Sequence, residues 1–145
     1  MRSMLLRDAV FRLKTRLFPE QSLGDRGERA AAKFLRRQRY RILHRGYRIL
    51  GGELDIVAVE GRTVVFVEVK TRVSHDAGHP AEAVDLQKQK QLTQLALAYL
   101  RRYRLLDCST RFDVVAITWP PHQRRPKIDH IKNAFEATGN GQMFS

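Results

Sequence analysis

The chemistry-bearing stretch of this chain is GGELDIVAVEGRTVVFVEVKTR, residues 51 to 72, which carries Glu53, Asp55, Glu68 and Lys70 at spacings that a hairpin would bring together. Gly61 and Arg62 suit a two-residue loop of type II′, with glycine first, and that loop sets residue 60 opposite residue 63. In this register Asp55 lies across from Glu68 and Glu53 across from Lys70, all on one face because strand side chains alternate. Val59 and Val64 continue that face, while Leu54, Ile56, Val65, Val67 and Val69 form the other. Two carboxylates set directly opposite each other repel, so a sheet built only for stability has no use for the Asp55/Glu68 pair. A hard cation resolves the conflict: Mg²⁺ or Mn²⁺ takes oxygen ligands, commonly one or two carboxylates with water and a substrate phosphate. Lys70 then sits where it can hold a phosphate oxygen or help activate the attacking water, which reads as phosphodiester hydrolysis. An acid followed two positions later by lysine also arises by chance about once in a chain of this length, as decoration of a solvated strand face. The opposing Asp55 and the valine-rich strands favour the metal site, whereas a one-residue slip would carry Asp55 off the face of Glu68.

The elements that must position these groups are legible in the periodicities. A helix is expected from Asp25 to about Tyr40, with Ala31, Phe34, Leu35 and Gln38 inward and a basic outer face. A strand from Arg41 to Leu50 follows, then a bend at Gly51 and Gly52, then the hairpin strands Glu53–Val59 and Val64–Arg72. After the polar loop SHDAGH, Pro80 can start a long helix that runs through LTQLALAYLRRY with Leu92, Leu95, Ala96 and Tyr99 inward. Arg111 to Thr118 reads as a fourth strand, broken by Pro120 and Pro121, and IDHIKNAF forms a short element before a glycine-rich tail. This order predicts an α/β core around one mixed sheet. Residues 1–20 read as a separate basic amphipathic helix, 21–135 as the domain proper and 136–145 as a flexible tail. The N-terminal helix suits packing on its own domain or on a partner better than anchoring to a membrane surface or a nucleic acid.

Composition narrows the partners. The 145 residues hold 27 Lys and Arg against 15 Asp and Glu, a formal charge of +12 that points to polyanions. Only residues 51 to 70 are net acidic, with Glu53, Asp55, Glu60 and Glu68 against Arg62 and Lys70. The excess lies instead on Lys33, Arg36, Arg37, Arg39, Arg41, Arg45 and Arg48, a surface that could track a phosphate backbone. No run approaches the roughly 18 apolar residues of a membrane-spanning helix. Cys108 is the single cysteine, which excludes an intrachain disulfide and a thiolate cluster and fits a reducing, cytoplasmic compartment. His44, His75, His79, His122 and His130 show no metal-ligand spacing beyond the loop pair His75 and His79.

Taken in order, GERAAAKFL, GELDIVA, VFVEVKTR, the lysine-containing helix and RFDVVAI resemble the YraN family of predicted endonucleases in the PD-(D/E)xK restriction-endonuclease-like superfamily, over residues 24 to about 135. The resemblance implies an αβββαβ core, a central mixed four-stranded sheet flanked by helices, related to Holliday-junction resolvases. It implies Asp55 as the first-motif acid, Glu68 and Lys70 as the second motif, Mg²⁺ or Mn²⁺ as cofactor and DNA, branched or structured, as substrate. Pairing into a homodimer is compatible with it. Glu28 would be an additional metal ligand, although Asp25-Arg-Gly-Glu28 also fits a capping box. Glu53 is suited to a place behind the metal ligands or to a salt bridge with Lys70. Lys88 and Gln91 interrupt an apolar stripe near the start of the long helix, where Lys88 fits an orienting or phosphate-binding role and also a solvent edge. Arg72 is a candidate phosphate contact, and Asp113 fits a strand end or a salt bridge. Leu54 stands where the superfamily's proline would be, and Gly46, in Arg45-Gly46-Tyr47, where the family usually has Asn. Two other functions stay open: a catalytically silent nucleic-acid-binding module of the same fold, and a scaffold that holds acidic protein or anionic lipid.

Overall fold

The computed structural model describes residues 22–74, 76, 78, 79 and 84–138. The expected helix over residues 1–20, the expected helix start at Pro80 and the tail from 139 onward lie outside them. The elements run α1 (Leu23–Arg37), β1 (Arg41–Ile49), β2 (Gly52–Glu60), β3 (Thr63–Arg72), α2 (Leu86–Arg102), β4 (Ser109–Thr118) and β5 (Lys127–Phe135). They form one five-stranded mixed sheet in the order β1-β2-β3-β4-β5, in which β3 and β4 are parallel and the other neighbours antiparallel. The expected four-stranded core is present, and IDHIKNAF adds a fifth strand on the far side of β4. No helix among the described residues is long and apolar enough to cross a membrane.

The start of α1 differs from the expectation for a local reason. Ser22 caps α1, its hydroxyl accepting from the Asp25 N–H at 3.1 Å, so the helix begins at Leu23 and Glu28 falls in its second turn rather than in a capping box. Asp85 caps α2 by accepting from the Lys88 N–H at 2.8 Å. At its other end α1 stops at Arg37, because Arg39 takes a left-handed φ of 67° and Tyr40 N–H returns to the Leu35 carbonyl.

The sheet is buried on both faces. On one side Ala31, Ala32 and Leu35 of α1 pack on Ile56, Ala58, Val65, Val67, Val115 and Ile117. On the other, Leu92, Leu95, Ala96 and Tyr99 of α2 pack on Leu54, Val57, Val64, Phe66 and Val114. The hairpin keeps the register expected from Gly61, from Glu60 opposite Thr63 to Ile56 opposite Val67.

One expectation fails at the site itself. Leu54 and Ile56, two residues apart, do not share a face: Leu54 lies in the α2-side core and Ile56 in the α1-side core. The pleat therefore reverses at Asp55. Across β1 the register passes from Arg45 opposite Ile56 to Tyr47 opposite Leu54, with Gly46 between them at φ 56°. A left-handed residue inside a strand favours glycine or asparagine, and Gly46 meets that need.

Helix α1 is seated on β3 at Gly27, where an added Cβ would overlap the Thr71 side chain. Gly→Ala inside a helix ordinarily stabilises by about 1 kcal/mol. Here Gly27→Ala should instead destabilise by about 1–3 kcal/mol, the cost of overpacking, and should push the neighbouring Glu28 off its station. Urea unfolding measures the sign, and a stabilised variant would contradict this packing.

Candidate metal centre

Four elements converge where β2 and β3 part. Helix α1 supplies Glu28, β2 supplies Glu53 and Asp55, β3 supplies Glu68 and Lys70, and α2 supplies Lys88. Carboxylate oxygens of Glu28, Glu53 and Asp55 all lie within 4.8 Å of one another. Beyond the last register pair of the hairpin, the Asp55 carboxylate accepts the Val69 N–H at 2.9 Å, which ties the acid across the gap between the strands.

Glu68 is 6% exposed. Its Oε1 faces Lys70 Nζ at 3.5 Å and Lys88 Nζ at 3.7 Å, while its Oε2 is buried with no hydrogen-bond partner among the described residues. An unsatisfied buried carboxylate oxygen is costly. The floor beneath Asp55 and Glu68 is apolar, made by Leu54, Phe66, Leu92, Phe112 and Phe135. Burial pushes the Asp55 carboxyl up to about 7, and the negative charge of Glu68 adds to the rise. Glu28 is raised by burial and then by the charges of Asp55 and Glu53, with Arg45 opposing. Three crowded carboxylates and a fourth with an orphaned oxygen form a donor set of hard oxygens that fits Mg²⁺ or Mn²⁺.

The structure brings together Asp55, Glu68, Lys70, Glu28, Glu53 and Lys88. Two readings from the sequence change. Glu53 pairs across the strand with Arg48 at 3.4 Å, rather than with Lys70. Lys88 reaches Glu68 instead of lying idle at a solvent edge. Asp85 at the helix cap was the signal for this, since it places Lys88 on the first turn of α2. Gln91 is exposed, and its Nε2 lies 3.2 Å from where a Cβ of Gly52 would stand. Arg72 Nη1 donates to the Gly78 carbonyl at 2.8 Å. Arg45 and Arg48 are exposed beside the acids, whereas Arg36, Arg37 and Arg39 are exposed at the opposite end of α1 from Glu28. His44 and His130 have structural partners, the Tyr99 hydroxyl at 2.7 Å and Asp113 at 2.8 Å.

Comparison with known proteins places this part of the chain within a known family. The model of a family described as "Uncharacterised protein family UPF0102" matches residues 27–117, which include every acid and lysine of the centre. A UPF0102 protein of Geobacter metallireducens is 51% identical over 116 residues, covering 80% of this chain and 93% of the relative. One from Geobacter sulfurreducens is 54% identical over 114 residues, covering 79% and 88%. One from Rhodopirellula baltica is 45% identical over 125 residues, covering 84% and 75%.

Proposed function

The chain belongs to the UPF0102 (YraN) family, and from that membership and the geometry at the parting strands we propose that it is a metal-dependent endonuclease that hydrolyses DNA phosphodiester bonds. The observation that carries this reading is the cluster of Glu28, Glu53 and Asp55 beside the buried Oε2 of Glu68, which has no partner among the described residues. Asp55, Glu68 and Glu28 would hold the cation, with Glu53 beside them. A bound Mg²⁺ or Mn²⁺ supplies Lewis-acid polarisation of a phosphodiester oxygen. Lys70, about one-third exposed with its Nζ on Glu68, is placed to meet a phosphate oxygen and to stabilise the charge that develops there. Lys88 acts through Glu68: its ammonium holds Oε1 in place and leaves Oε2 for the cation. The apolar floor keeps water from the buried Glu68 carboxylate and strengthens its field. Arg45 and Arg48 extend positive charge away from the acids, where flanking phosphates would lie.

Titrating the protein with Mn²⁺ by calorimetry tests the centre without any substrate. Because Asp55 titrates at about 7, the cation must displace its proton below that pH and meets an ionised acid above it. Affinity should fall about tenfold per pH unit below pH ~7 and level off above it, with proton release seen as a dependence of the heat on the buffer. No Mn²⁺ binding at pH ~8 would contradict the assignment.

A further inference from the structure

Away from the metal centre, the structure brings a second set of charged groups together that the sequence separates by about a hundred residues. Arg26, Arg29, Lys33 and Arg37 recur every three or four positions and so form one stripe on the outer face of α1. The segment joining β4 to β5 folds against that stripe and adds Arg124 and Arg125. Between them is a cleft of about 700 Å³ with no acidic residue in its lining among the described residues, walled on its apolar side by Phe34 and Ile128. Trp119 stands at one end. Its ring carries the Arg26 guanidinium 4.1 Å from the centroid, and its Nε1 donates to the Gln123 carbonyl at 2.9 Å. The Trp119 main-chain N–H donates to the Arg72 carbonyl at 2.8 Å, which fixes this end of the cleft two residues along β3 from Lys70.

A solvated basic face needs no such arrangement. Like charges drawn from two segments around one concavity repel, and the arrangement is favourable when an anion lies between them. The cation–π seat on Trp119 holds Arg26 at the mouth of the cleft instead of leaving it to the solvent. The row along α1 repeats about once per helical turn, so the anion it matches is extended and repeating. A concave wall also suits a strand better than a flat membrane surface. We infer that the cleft between α1 and the β4–β5 segment is a phosphate-backbone track that holds DNA leading to or from the metal centre. This rests on the nuclease reading for its substrate, but the track itself needs no metal.

The chain contains one tryptophan, so Trp119 reports on the cleft directly. Titrating the full chain with a short DNA duplex in EDTA, with Trp119 excited at its red edge, should change its emission as DNA binds. Arg124→Ala/Arg125→Ala should weaken binding about tenfold at ~0.1 M salt and lower the slope of log affinity against log salt by about 1.8, the release expected for two lost phosphate contacts. Arg101→Ala/Arg102→Ala, an equal loss of charge at the end of α2, should leave both nearly unchanged. Binding by the Arg124/Arg125 variant that matches wild type, or equal weakening in both variants, overturns the track. An emission change with phosphatidylserine vesicles and none with DNA overturns it in favour of a lipid surface. Mn²⁺-dependent cutting tested on the same variants separates the two ideas: normal cutting and binding in the Arg124/Arg125 variant sink only the track, and DNA held in the cleft by a protein that never cuts sinks only the nuclease.

Discussion

Glu68→Gln, Asp55→Asn and Lys70→Ala should each lower Mn²⁺-dependent DNA cutting by about a thousandfold or more, equivalent to ~4 kcal/mol of transition-state stabilisation. Glu68→Gln keeps the shape of the side chain and removes the charge that Lys70 and Lys88 now face. Asp55→Asn keeps an oxygen to accept the Val69 N–H. Lys70→Ala leaves the acids intact and removes the cation next to the phosphate. The fold should survive all three, and for Asp55→Asn the sign of the stability change is itself diagnostic. A carboxyl raised to about 7 in the folded state favours folding while protonated, below its unfolded value near 4, and that contribution is lost as pH rises through 7. At pH ~8 in EDTA the wild type carries the whole penalty and the Asn variant none, so the variant should melt several degrees higher, with the difference vanishing near pH 4. A lost activity accompanied by a lower melting temperature in EDTA would mean that the fold, rather than the chemistry, had been damaged.

The second large effect lies in the core. Asp113 is completely buried in β4. Arg111 Nε donates to it at 2.8 Å, as does His130 Nε2 at 2.8 Å, and the Asn133 N–H donates at 2.9 Å. Burial works to raise its carboxyl, but the donors from His130, Arg111 and the Asn133 main chain outweigh it and hold the group at about 2. Arg111 also binds the Glu60 carboxylate at 2.6 Å and the Tyr40 hydroxyl at 2.8 Å, so one guanidinium joins β2, β4 and the end of α1. Arg111→Met should cost about 3–5 kcal/mol, since it leaves a buried carboxylate short of its main counter-charge. Arg111→Met/Asp113→Asn should recover a large part of that loss, and a double-mutant cycle in urea measures the coupling. Because the folded-state value is depressed, the stability from Asp113 is present above pH ~4 and disappears as pH falls toward 2. In Arg111→Met that acid loss should be smaller. Additive single and double variants would show that the ion pair is not what holds this end of the sheet.

How much of this could be read from the sequence depended on whether the determinant was local. Gly61 fixed the loop and the loop fixed the register as far as Ile56 opposite Val67; beyond that pair the strands part, and Asp55 comes near Glu68 while accepting the Val69 N–H rather than as a ladder pair. The reversal of the pleat between Leu54 and Ile56 was not legible, because strict alternation gives no sign of a left-handed Gly46 on the neighbouring strand. Glu28 was divided between metal ligand and cap because Asp25 precedes it at capping distance; Ser22, three residues earlier, takes the capping role and leaves Glu28 to the acid cluster. IDHIKNAF looked short because its charges break the alternation, and it becomes a nine-residue strand only by pairing with β4, where His130 and Asn133 meet Asp113. Lys88 was ambiguous for the same reason: its role depends on Glu68, which belongs to a different element.

The most direct test of the central claim is to incubate wild type and Glu68→Gln side by side with Mn²⁺ and a panel of single-stranded, nicked, flapped and four-way-junction DNAs. The metal-site account predicts that wild type cuts at least one of them, that EDTA stops the cutting and that Glu68→Gln leaves every substrate whole. An intact panel with wild type, or equal cutting by both proteins, would contradict it.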